Sequence, residues 1–90
     1  LPHVMRFNMD YVDNKYRILA RHCGFNDAVE LIAGIEEVNK ALGVPGRLSE
    51  LGVKEDDVPS MVEAGMTGST KVNPRSVDEE TLELFIKECI

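Results

Sequence analysis

The stretch NDAVELIAGIEEVNKALGVPG, residues 26–46, leaves the chain least freedom. Ala28, Leu31, Ile32, Ile35, Val38 and Leu42 recur every three or four positions, which places them along one side of a helix; a strand would need them at every second position. Asn26 or Asp27 supplies a capping oxygen just before the run, Gly43 stops it, and Pro45 prevents its resumption. Val29 widens the stripe, so the helix is expected to sit deep in a core.

A helix with a broad apolar side needs partners of the same kind, and the rest of the chain offers them. Leu1, Val4, Met5 and Met9 keep a helical spacing in the opening segment, where Pro2 is tolerable in a first turn but would kink a helix already running. Asp13 or Asn14 can cap a second helix, KYRILARHC, with Tyr16, Leu19, Ala20 and Cys23 on one side and Gly24 as its stop. After residue 46, one short turn spans Leu48 to Leu51 and ends at Gly52. A further helix starts near Asp57, with Pro59 in its first turn and Val58, Met61, Val62 and Met66 as apolar positions. TGSTKVNPRS, residues 67–76, has no periodicity and reads as a loop; Asn73 precedes Pro74 and is biased away from helical geometry. The final helix is capped by Ser76, with Glu79 completing a box, or by Asp78, and carries Leu82, Phe85, Ile86 and Cys89. There is no strand and no internal repeat. The expectation is an all-α fold of about five helices with short loops.

Ninety residues make one small domain. Its net charge of −6 is well mixed apart from KEDD and DEE, both at helix starts, where the helix dipole favours carboxylates. Nucleic acid is therefore not expected as a partner, because phosphate binding needs clustered Lys and Arg. No apolar run approaches the roughly 20 residues needed to span a bilayer, and LPHVMRFN lacks the build of a signal peptide. These features predict a cytoplasmic chain with no membrane partner. Cys23 and Cys89 both fall on apolar stripes and read as buried free thiols. Met5, Met9, Met61 and Met66 read as core filler.

Candidate chemistry is sparse. His3 and His22 are predicted on different helices with no HxxxH or ExxH partner, so packing is expected of them rather than metal ligation. Neither GxGxxG nor GxxxxGK[ST] occurs, so no phosphate cradle is present. No Ser has a His close in sequence to act as its base. The carboxylates that can be placed lie in first turns or on solvated sides. TGSTKVNPR is the one stretch that resists a purely structural account; a long polar loop of this kind lines a cleft or merely connects two helices.

Taken together and in order, LPHVMRFN, KYRILARHCG, ALGVPGRLSELGVKEDDVP and Asn73-Pro74-Arg75 with a closing helix resemble the C-terminal end of the iron-containing (group III) alcohol dehydrogenases. The resemblance implies that residues 1–90 are the distal half of an all-helical, dehydroquinate synthase-like domain. It also implies a parent with an N-terminal domain for NAD or NADP and a divalent metal, usually iron, held by an aspartate and three histidines. That metal would polarise the alcohol oxygen while hydride passes to the nicotinamide. By the same comparison all four metal ligands lie upstream, and His3 belongs to the family's Leu-Pro-His. No catalytic, cofactor-binding or metal-binding residue is therefore expected in this chain, and the ninety residues alone should be inactive. Ser69 and Thr70, just before Asn-Pro-Arg, are the candidate cleft-lining residues. LPHVMRFN would continue a helix from the metal-binding segment, and the partners implied are the missing N-terminal part of the parent and further copies in a homo-oligomer. The alternative is a free-standing small acidic helical module that binds a partner through a groove.

Overall fold

Pro2 opens the first helix, where its missing N–H costs nothing. The computed structural model describes residues 1–90. They form four α-helices, α1 (Pro2–His22), α2 (Ala28–Ala41), α3 (Val58–Gly65) and α4 (Glu79–Cys89), with 310 turns at Leu48–Leu51, Glu55–Asp57 and Gly68–Val72. The chain divides into two compact units, Leu1–Gly46 and Arg47–Ile90. The all-α expectation holds, with four α-helices where about five were expected.

The difference in count arises in the first unit. The two helices expected before Gly24 run on as α1 across a kink at Val12, whose φ of −136° and ψ of 24° leave the helical region beside the boundary read at Asp13 or Asn14. Asp13 does not cap a new helix; its carboxylate accepts from Arg17 Nη2 at 3.1 Å, one turn ahead. The helix stays in phase across the break because Met5, Met9, Tyr16 and Ala20 all pack into one cluster with Leu31, Ile32 and Ile35 of α2. Burying side chains such as Leu31 and Ile32 stabilises by about 1.5–3 kcal/mol each.

Helix α1 ends as its sequence promises. Gly24 takes φ +87°, which a residue with a Cβ adopts only with strain. Gly24 N–H donates to the Arg21 carbonyl at 3.2 Å and Phe25 N–H to that of Ala20 at 2.8 Å, the paired bonds of a Schellman stop. That turn drops Phe25 onto the cluster. Asp27, rather than Asn26, caps α2: its Oδ1 accepts from Glu30 N–H at 2.9 Å, while Glu30 Oε2 accepts from Asn26 N–H at 2.8 Å.

The apolar stripe of α2 is only partly covered. Ala28, Leu31 and Ile32 are buried, but Val38 is 57% and Leu42 74% exposed. Val29, expected to deepen the helix in the core, is exposed, as are Leu19 and Cys23 of the α1 stripe. Periodicity identifies the apolar side of a helix; the reach of its neighbour decides how much of that side is covered.

In the second unit α3 packs on α4. They approach closely at Gly65, where a Cβ would lie 3.0 Å from Leu82 Cδ2. Val58, Ile86 and Cys89 are buried, whereas Met61 and Met66, expected as core filler, are half-buried. Asp78, not Ser76, caps α4, its Oδ1 accepting from Thr81 N–H at 2.7 Å. Arg47 Nη1 donates to the Glu88 carbonyl and Ser49 Oγ to that of Ile90, both at 3.3 Å, which satisfies carbonyls left free at the end of α4.

Candidate functional site

Ser69 and Thr70 lie between α3 and α4. Helix α3 stops at Gly65, Met66 leaves helical geometry and Thr67 is extended. Gly68 then takes φ +53°, a left-handed turn that swings the chain into the 310 segment. Within it, Thr70 N–H donates to the Thr67 carbonyl at 3.2 Å and Asn73 N–H to that of Thr70 at 3.4 Å. The segment expected to be an irregular loop is therefore a 310 turn over Gly68–Val72. Sequence periodicity misses such a turn because it is barely one repeat long.

The turn presents Ser69 to solvent and leaves Thr70 half-buried. Val72, at the end of the same turn, is 80% exposed. Each hydroxyl can both donate and accept a hydrogen bond. Chain exit from the turn is set by Asn73, whose Nδ2 donates to the Arg75 carbonyl at 2.7 Å across Pro74. Sequence reading saw only the conformational bias of Asn73; the short polar side chain beside a proline was the available signal.

The two histidines stand on one helix, not two, at opposite ends of α1. About five helical turns and the Val12 kink separate them, and neither belongs to a metal-ligand group. His3 Nε2 lies 2.8 Å from the Gly46 carbonyl oxygen; a carbonyl only accepts, so this nitrogen carries the proton and donates. His22 is exposed in the last turn of α1. Arg6 and Glu36 form an ion pair between α1 and α2. The hydrogen bond from Arg6 holds the Glu36 carboxyl below its ordinary range, while the same contact raises Arg6. Burial pushes the Cys89 thiol up. No three of His, Cys, Asp and Glu come together as a metal-binding group, and no helix is long and apolar enough to cross a membrane. These residues do not fit a metal centre of their own, and no catalytic step through a metal is assigned to them.

The fold is all-α, and the candidate residues sit on a short 310 turn between two of its helices. Across residues 1–90 the sequence matches the Fe-containing alcohol dehydrogenase family, C-terminal, and the chain belongs to that family. It is 35% identical to a lactaldehyde reductase of Escherichia coli over 94% of this chain and 25% of that protein. A 1,3-propanediol dehydrogenase of Citrobacter freundii is 38% identical over 94% of this chain and 24% of its own length. An alcohol dehydrogenase of Thermococcus barophilus is 52% identical over 62% of this chain and 15% of its own length. The chain thus spans about a quarter or less of these curated relatives. No solved structure matches it significantly.

Proposed function

We propose that residues 1–90 are the distal part of the helical domain of an NAD(P)-dependent, iron-type alcohol dehydrogenase that interconverts alcohols with aldehydes or ketones. The family match over the whole chain carries this reading. The names of the relatives, a lactaldehyde reductase, a 1,3-propanediol dehydrogenase and an alcohol dehydrogenase, support two-electron chemistry that interconverts alcohols and carbonyl compounds. Such a reaction needs a hydride acceptor, and a nicotinamide is the carrier the family resemblance implies. The metal and the dinucleotide are held by segments beyond these ninety residues, and the ninety residues alone are inactive. Ser69 and Thr70 line the substrate side of the cleft and hydrogen-bond the alcohol or carbonyl oxygen.

The exposed apolar side chains are the second support. Leu1, Val4, Tyr11 and Ile18 lie along one side of α1, and Val38 and Leu42 along α2. Exposed apolar side chains in this number favour a cover, which the remainder of a longer polypeptide supplies, with further copies in a cytoplasmic homo-oligomer.

The test is an assay of the polypeptide made from the complete gene, loaded with Fe(II) and offered ethanol, 1,3-propanediol and lactaldehyde with NAD(H) or NADP(H). Formation or consumption of reduced nicotinamide is expected. Absence of turnover across that panel overturns the reading.

A further inference from the structure

We propose that α1 around Ile18 docks on α4 around Leu84 of a second copy of this chain, through an apolar contact flanked by opposite charges. The proposal names the surfaces through which further copies meet, and it rests on the reading of the exposed α1 side as one covered in a homo-oligomer. Ile18 is 53% and Leu84 60% exposed. On α1, Lys15 stands three residues before Ile18 and Arg21 three residues after it, so both share its side of the helix. On α4, Glu80 and Glu88 stand four residues before and after Leu84 in the same way. All four charged residues are exposed. Along the helix axes the two cations are about 9 Å apart and the two carboxylates about 12 Å. When Ile18 meets Leu84, each cation is therefore within side-chain reach of a carboxylate.

These four charges are unpaired within the chain, whereas Arg6 pairs with Glu36, Arg17 with Asp13 and Lys87 with Glu83. Helix dipoles explain only half of the pattern. Arg21 in the last turn of α1 and Glu80 in the first turn of α4 sit where the dipole favours them. Lys15 lies about two turns from the end of α1, beyond that influence, and Glu88 occupies the last turn of α4, where a carboxylate is disfavoured. The sequence sorts its charges on the same lines. Between Asp13 and Asp27 it holds Lys15, Arg17 and Arg21 with no carboxylate, although the net charge is −6. From Asp78 onward it holds Asp78, Glu79, Glu80, Glu83 and Glu88 with Lys87 as the only cation. Two copies of one acidic chain repel on average; a basic surface set against an acidic one lets them meet and fixes which surfaces do so.

Sedimentation of the ninety-residue chain at about 0.01 M ionic strength, where screening is weak, reads the contact. Lys15→Glu with Arg21→Glu, and separately Glu80→Lys with Glu88→Lys, should each weaken self-association about tenfold or more, by removing two ion pairs and opposing like charges. An equimolar mixture of these two double variants restores opposite signs across the contact, as does a chain carrying all four substitutions. Both should associate to within about threefold of the unmodified chain. Association that survives either double variant overturns the contact while the covered-side reading of α1 stands. Two folded, monomeric variants whose mixture stays monomeric also overturn it. An unmodified chain that stays monomeric at every concentration overturns both. Circular dichroism checks the helices. Where a charge reversal unfolds the chain, Lys15→Gln with Arg21→Gln, or Glu80→Gln with Glu88→Gln, takes its place; about threefold weakening is then expected, and none overturns the contact.

Discussion

The ring of Phe25 fills the space that a Cβ on Gly34 would occupy: such an atom would lie 2.4 Å from Phe25 Cζ and 2.9 Å from Cε1. Gly34 sits inside α2, where glycine costs about 1 kcal/mol relative to alanine. The Schellman turn at Gly24 delivers the ring to that spot, and closeness of ring to backbone is what the glycine provides.

Gly34→Ala should therefore destabilise despite its better helix propensity. Displacing the ring costs about 1–3 kcal/mol, against about 1 kcal/mol gained. In a Phe25→Leu background the same substitution should turn neutral or stabilising. Urea midpoints of the four proteins in this cycle measure the coupling; a stabilised Gly34→Ala single variant would show that the ring moves aside freely.

The Arg6–Glu36 pair makes stability depend on pH on the acid side. The folded-state pKa of Glu36 is lowered, so its contribution is complete above the ordinary glutamate range and is lost as pH falls through the lowered value. Both partners are about half exposed, which holds the pair to at most about 1 kcal/mol and makes it salt-sensitive. Asp78, lowered by its bonds to Thr81, acts with the same sign. Glu36→Gln and Asp78→Asn should each flatten the decline in Tm on the acid side, where the lowered carboxyls take up protons, and Asp78→Asn should keep α4, because Asn also caps.

The thiols differ in reach. Cys23 is exposed and Cys89 buried, so a thiol reagent should label one cysteine promptly and the second only on unfolding. Burial raises the folded pKa of Cys89; its contribution is complete below the ordinary thiol pKa and is lost as pH rises through the raised value. Equal labelling rates in the native chain would contradict this packing.

Asp27→Ala removes the acceptor for Glu30 N–H and should cost about 1 kcal/mol, with Asp27→Asn recovering most of it. Thermal melts followed by circular dichroism give the comparison.

The ninety residues in isolation should self-associate as concentration rises, through the uncovered sides of α1 and α2. Tyr11→Lys with Ile18→Glu should shift sedimentation toward monomer without loss of helix. A clean monomer of the unmodified chain would argue against an uncovered apolar side that seeks a partner.

What the sequence made legible was local. The Asp27 cap, the Gly24, Gly43 and Gly52 stops, Pro59 in a first turn and the Ala28–Ile35 stripe all concern residues within a few positions of one another, and the fold follows them. What escaped was distant or very short. His3 meets the carbonyl of Gly46, and Arg47 that of Glu88, contacts no spacing rule anticipates. The exposure of Val38, Leu42 and Cys23 depends on the extent of a neighbouring element. Ser69 and Thr70 are singled out by the resemblance alone, and the turn that carries them is closed by backbone bonds from Thr70 N–H to Thr67 and from Asn73 N–H to Thr70.

The division between Gly46 and Arg47 has a consequence for synthesis. Every contact of the first unit's cluster joins residues from Met5 to Ile35, so its packing partners have all been made before the second unit is translated. Short-range contacts of this kind close quickly, and segments generally fold in the order in which they leave the ribosome. The half bearing the candidate site is then the later one to form.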